Sequence, residues 1–281
     1  MKIKDNIEEK NLVLFKEGKN KTDLKDRLNL HYLKYLNTTY TVGKYDSIHF
    51  SSPVNAKIDY LALYSQPSEY NKTSNTAVCF FEDDIKFDGK NGLWNAIYYN
   101  DSKLIEQYRE RFKNVKYFIS PDYSQIGDVP FWLNLFNLQR SRIVSLFLVQ
   151  ELNKLVYPLI TYSNENSFEY MLDGLEECNV VAFSLKGALK TNEQLDMAKK
   201  AISITINKLT KLTSIIVYSV SLYDEKVRDL FSCAINKGIE IIIPNNILME
   251  RNKVLGGIYN GKILKNRWRF RYEWFTTTFN F

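Results

Sequence analysis

The sequence predicts an α/β protein with a mainly parallel sheet and alternating helices. An incomplete or TIM-like barrel is favoured over an open doubly wound sheet, and a C-terminal β-hairpin follows. Three observations predict this. Short apolar runs such as Ala77–Phe81, Val180–Ser184 and Ser214–Val220 recur between helical segments. Runs that are apolar nearly throughout suit strands covered on both faces. Roughly six such strands are visible, which is few for a complete eight-stranded barrel.

The elements are justified in chain order. From Asp23 to Tyr35 the spacing of Leu24, Leu28, Tyr32 and Leu36 is helical. Tyr40–Ser65 reads as short alternating strands, and Gln66–Asn75, with its Pro, Ser, Asn and Thr, as a loop. The strand Ala77–Phe81 ends in Glu82-Asp83-Asp84, and a helix over Ser102–Lys113 is capped by Asp101 or Ser102. The strand Val115–Ser120 precedes a long helix from Pro130 to about Asn153, with Pro130 suited to a first turn. Strands at 156–161, 180–184, 214–220 and 239–243 then alternate with helices at 167–175, 192–209 and 224–236, the last stopped by Gly238. Asn260-Gly261 between apolar residues signals a hairpin. The expected organisation is a peripheral region over 1–75, an α/β core over 76–250 and a basic aromatic hairpin packed on it over 251–281.

Composition narrows the class. A chain of 281 residues with 45% hydrophobic and 25% charged residues is ordinary for a globular protein. No apolar run reaches the roughly 18 residues of a membrane helix. The charged first 25 residues contain no apolar signal-peptide core. Cys79, Cys178 and Cys233 are isolated and read as buried reduced thiols, so the expectation is a cytoplasmic protein that makes no use of the membrane. The net charge of +6 lies wholly in residues 251–281, where seven basic residues face one acid, Glu273. In Asn266–Trp274 arginines alternate with aromatic residues, so Lys265, Arg267, Arg269 and Arg271 are candidate phosphate contacts beside rings able to stack on bases. An amphipathic edge strand gives the same pattern.

Candidate chemistry gathers at the strand ends, where parallel sheets bind their ligands. These ends supply Glu82, Asp83 and Asp84, then Ser120, Asp122 and Ser124, then Tyr162 and Ser163, then Ser184, Lys186 and Gly187, and finally Ser219, Asn245 and Asn246. Carboxylates from different strands can act as acid and base, and with hydroxyls and a lysine they suit a phosphate or a hard cation such as Mg2+. Loops and caps after strands require polar residues too. On the long helix Asn134, Asn137, Arg140 and Ser141 share a face, and Arg140 either pairs with Asp122 or clamps a phosphate. His31 and His49, the two histidines, lie in the N-terminal part, which argues against serine or cysteine triad hydrolysis. Catalysis itself is left open.

The segment 78–246 resembles a bacterial and phage family, the domain of unknown function 4417. The matching motifs are Cys79–Asp84 against "HFF(I/L)DD", Ser120–Ser124 against "SPDFS", and Asn137–Arg142 against "YNxYRNRW". Val156–Tyr162, Val181–Gly187 and Ile216–Ser219 match three later strands. The resemblance implies roles for Asp83, Asp84, Asp122, Ser124, Asn137, Arg140 and Arg142. It departs at Tyr162 and Ser219, where the family has Trp and Gly. By association it implies a mobile-element setting, phage or plasmid. The expectation is a protein acting on or binding nucleic acid, a nucleotide or another phosphate-bearing ligand at the strand ends. The alternative is a non-catalytic module that binds a protein partner, for example to block a host or competing defence component.

Overall fold

A computed structural model describes residues 24–187, 191–221, 224–255, 258–259 and 262–263. Its centre is two parallel sheets. In the first, β3 (Tyr60–Leu63), β4 (Thr76–Cys79), β5 (Tyr117–Ile119) and β6 (Leu155–Tyr157) lie side by side in chain order. In the second, β7 (Val180–Ser184), β8 (Ser214–Tyr218) and β9 (Glu240–Ile242) do the same.

Single parallel bridges join the sheets at both seams, Leu159 to Ala182 and Asn245 to Tyr60. At one seam the Ile160 amide donates to the Ala182 carbonyl at 2.9 Å and the Ala182 amide to the Pro158 carbonyl at 2.8 Å. At the other, the Leu61 amide donates to the Asn245 carbonyl at 2.8 Å and the Asn245 amide to the Asp59 carbonyl at 3.0 Å. Isolated bridges therefore link the two sheets after β6 and, beyond the end of β9, at Asn245.

The period of two sorts each strand into two faces. Leu61, Ala77, Ile119, Tyr157, Ala182 and Ile216, drawn from both sheets, meet in one apolar cluster. Their neighbours Ala62, Val78, Phe118, Val156, Val181 and Val217 belong to a larger cluster shared with the helices. Both faces being apolar explains why these strands read as continuous hydrophobic runs.

The helices follow the strands as expected, with local differences. The first helical run is α1 (Leu24–Leu28) and then a 3-10 helix over His31–Thr38. It breaks at Asn29, whose φ of 52° leaves the helical region. Two helices not expected appear, α2 (Leu93–Tyr98) and α8 (Ile247–Leu255). In α3 (Ser102–Phe112) the Asp101 carboxylate caps the first turn, accepting from the Lys103 and Leu104 amides at 3.0 Å each. The long helix α4 (Phe131–Gln150) begins one residue after Pro130, and the chain beyond it turns at Asn153, with φ 53°. In α5 (Asn192–Lys208) Thr191 and Gln194 form a reciprocal capping box.

The expected helix over 224–236 is divided at Phe231 into α6 (Asp224–Leu230) and α7 (Ser232–Ile235), with Gly238 at φ 78° ending it. The segment 167–175 holds a 3-10 helix over Glu165–Glu169 instead of an α-helix. The strands expected on either side of Asn260-Gly261, β10 (Ile258–Tyr259) and β11 (Lys262–Ile263), pair antiparallel.

Ahead of the sheets, β1 (Thr41–Val42) and β2 (Ser47–Ile48) form an antiparallel hairpin. It is held against the turn at Gly174, whose carbonyl accepts from the Phe50 amide at 2.8 Å. Gly174 has φ 82°, and a Cβ there would stand 2.4 Å from the Ile48 carbonyl oxygen. Strand β3, on the N-terminal side of residue 75, pairs along its whole length with β4 and is continuous with the core sheet. Among the described residues no helix is long and apolar enough to cross a membrane. The cysteines are unpaired, and Cys79 and Cys178 are buried as expected, but Cys233 is exposed because it sits on the outer side of α7.

Candidate functional site

A cavity of about 600 Å3 opens at the C-terminal ends of the strands. The segments after β4 and β5 give it Glu82, Asp122 and Ser124; the segment after β6 gives it Thr161, Tyr162 and Ser163. Ser184, Lys186 and Gly187 after β7 complete the ring with Glu193 and Met197 of α5. Leu159, Ile160 and Met197 make part of the wall apolar.

Asp122 is its most distinctive group. Burial, then the nearby Asp84 carboxylate, push its carboxyl up to about 7, and Lys186 opposes them. Among the described residues no donor pairs with it. The Ser163 hydroxyl oxygen is also buried without a partner.

The neighbouring carboxylates are held by hydroxyl-bearing residues. Asp84 accepts from the Ser124 amide at 3.2 Å and from its hydroxyl at 2.9 Å. Glu82 accepts from the Ser65 amide at 2.8 Å and from the Ser65 hydroxyl. Asp83 is exposed, precedes a short 3-10 helix over Asp84–Lys86 without a side-chain capping bond, and does not line the cavity. Lys186 spends one of its three donors on the Phe81 carbonyl, at 2.7 Å.

The α4 residues stand behind this wall. The Asn137 side-chain amide donates to the Ser124 carbonyl at 2.8 Å and its oxygen accepts from Arg140 at 3.2 Å. Arg140 does not pair with Asp122; its guanidinium forms an ion pair with Asp88. It also lies over Tyr123 at 4.1 Å, with Trp94 and Phe136 at 5.4 and 5.5 Å. This aromatic box is why Arg140 is drawn away from the strand end. Arg140 is not among the residues lining the cavity.

Arg142 is a structural tie. It is 3% exposed and donates to the Ile48 carbonyl at 3.1 Å and the Asp173 carbonyl at 3.3 Å, fastening the β1–β2 hairpin. Asn134 grips the Ile126 backbone at both amide and carbonyl, at 2.9 and 2.7 Å.

The structure thus brings together Asp122, Ser124 and Lys186 of the expected residues, with Asp84 bonded to Ser124. It leaves Asp83, Asn137, Arg140 and Arg142 off the cavity wall. Lys265, Arg267, Arg269 and Arg271 lie outside the described residues. Glu82, Tyr162, Ser163 and Ser184, all placed at strand ends by the sequence reasoning, line the cavity as well. Glu193 is a charged wall residue that reasoning missed, because it comes from the first turn of α5 and not from a strand end. Among the described residues no three His, Cys, Asp or Glu side chains gather closely enough to hold a metal ion.

A comparison with curated proteins finds no match. The family model for the domain of unknown function 4417 matches residues 41–237, taking in the β1–β2 hairpin and β3, which the motif resemblance had left out, and ending before β9. With more than half of its length so matched, the chain belongs to that family, the domain of unknown function 4417 (DUF4417).

Proposed function

We propose that this protein binds, and transfers a proton on, a small phosphate-bearing ligand in the strand-end cavity, in the mobile-element setting the family resemblance implies. One observation carries the reading. Asp122 lines the cavity with no hydrogen-bond partner among the described residues, and burial raises its carboxyl to about 7, the range in which one group both gives and takes a proton. Lys186, Ser124 and Ser184 supply donors for phosphate oxygens. The volume suits a nucleotide-sized molecule, since small-ligand pockets run from about 300 to 1,000 Å3. We read the ring of strands as a distorted barrel. The bridges at both seams and the apolar cluster shared by the two sheets support it.

The test is calorimetric titration of a panel of phosphate-bearing metabolites into wild type, Asp122→Asn and Lys186→Met. Asp122→Asn is expected to abolish turnover, and Lys186→Met to weaken binding by about tenfold or more. Unchanged binding and turnover in a folded Asp122→Asn protein would sink the reading. Nucleic-acid binding by the basic stretch 251–281 remains a sequence-based part of the proposal, expected to weaken steeply with salt.

A second reading, a protein-binding module, draws on Phe131, Trp132 and Phe136 in the first turns of α4, which are 41%, 65% and 43% exposed.

A further inference from the structure

The cavity is rich in acceptors and poor in positive charge. Glu82, Asp122 and Glu193 line it and Asp84 stands behind, with Lys186 the one basic residue on the wall among the described residues. Among the described residues none of these four carboxylates joins an ion pair. A phosphate filling this space by itself would meet more repulsion than attraction. What the space lacks is a set of N–H donors.

The rest of the wall says what should carry them. Tyr162 is half-buried, and its hydroxyl has no partner among the described residues. With Leu159, Ile160 and Met197 it makes an apolar wall in the cavity that holds Asp122. A flexible polyamine would satisfy the carboxylates but has no use for that wall. A flat heterocycle with amino and ring N–H groups uses both, stacking on a ring and presenting its edge to a carboxylate.

Resting on the reading of the cavity as a site for a phosphate-bearing ligand, we propose that it is a nucleobase pocket. Asp122 takes the edge of a base bearing an exocyclic amino group, the base lies against Tyr162, and the phosphate is left to Lys186 at the mouth. The ligand class is therefore a nucleotide of adenine, cytosine or guanine, free or at the end of a strand.

The experiment is calorimetric titration of the full chain with the monophosphates of adenosine, cytidine, guanosine and uridine. Ribose 5-phosphate and agmatine serve as probes without a base. At least one amino-bearing nucleotide is expected to bind about tenfold or more tighter than uridine monophosphate and ribose 5-phosphate. Tyr162→Leu is expected to reduce that binding about fivefold to tenfold while leaving ribose 5-phosphate unaffected. If ribose 5-phosphate binds as well as any nucleotide and still needs Asp122, the base pocket is overturned while the phosphate-ligand reading stands. Tighter binding of agmatine overturns it in favour of a cationic ligand. Binding of none of the probes to the folded protein also overturns it, and full binding by Asp122→Asn removes both readings.

Discussion

At the scale of single residues, charge burial decides what the protein tolerates. Asp122 is the clearest case, and its linkage has a definite sign. Its carboxyl titrates near 7 in the folded protein and in the ordinary range, near 3.8, once unfolded. Between those values the folded state holds a proton that the unfolded state has released, so stability falls as pH rises from about 4 towards 7. Asp122→Asn removes this slope. Denaturant titrations from pH 4 to 8 should show wild type losing stability where the variant stays flat, with the variant the more stable at pH 8. Parallel curves for the two would show that Asp122 ionises as freely folded as unfolded.

Arg140 makes the opposite case. Its pair with Asp88 is 13% exposed on both side chains and is enclosed by aromatic rings. Breaking such a pair strands a charge, at a cost of about 3 to 5 kcal/mol. Asp88→Ala should therefore destabilise the protein by about that much in urea unfolding, and Arg140→Met in the Asp88→Ala background should recover part of it. The partner was not legible from sequence. Asp88 sits among Asp83–Gly92, a stretch with no helical or strand period, whereas the helical face carrying Arg140 was read correctly.

At the scale of elements, sequence and structure agree where burial is two-sided and part where it is not. Strands β4 to β9 stand out because both faces are apolar, and α3, α4 and α5 because each has a long uninterrupted run between start and stop residues. The short α2 escapes because Gly89 and Gly92 precede it. The helix α8 escapes because Pro244-Asn245-Asn246 reads as a closing loop. In fact the Asn246 side chain accepts from the Met249 amide at 2.9 Å and so starts that helix. The β1–β2 hairpin offers an element-scale test. Gly174→Ala combines a positive φ with a carbonyl in the way of the methyl group, and such strain costs about 1 to 3 kcal/mol. The expected result is a lower unfolding midpoint, with faster amide exchange at Phe50, whose bond runs to the Gly174 carbonyl. A midpoint equal to wild type would mean the hairpin carries no share of the stability.

At the scale of the whole molecule, the strand-end location of the site was legible because it follows from parallel topology alone. The catalogue of residues there was less so. The sequence does not reveal that the α4 polar face turns to hold the loop after β5 and not the cavity, because that depends on the helix's rotation against the sheet. Connectivity makes a prediction of its own. Each sheet is zipped along several residues, while each seam carries two backbone bonds. Native-state hydrogen exchange should therefore find the Leu61 and Ile160 amides opening at lower free energy than protected amides within β4 and β8. Equal protection would place the seams among the strongest parts of the fold.

The cavity happens to straddle one of those seams. Leu159 to Ser163 stand on one bank, and Ser184, Lys186 and Gly187 on the other. Any molecule gripping both banks acts as a clasp across the join, so occupancy and mechanical integrity become one property. The empty protein then has a join that can gape along a line, and a filled one would have that join buckled shut.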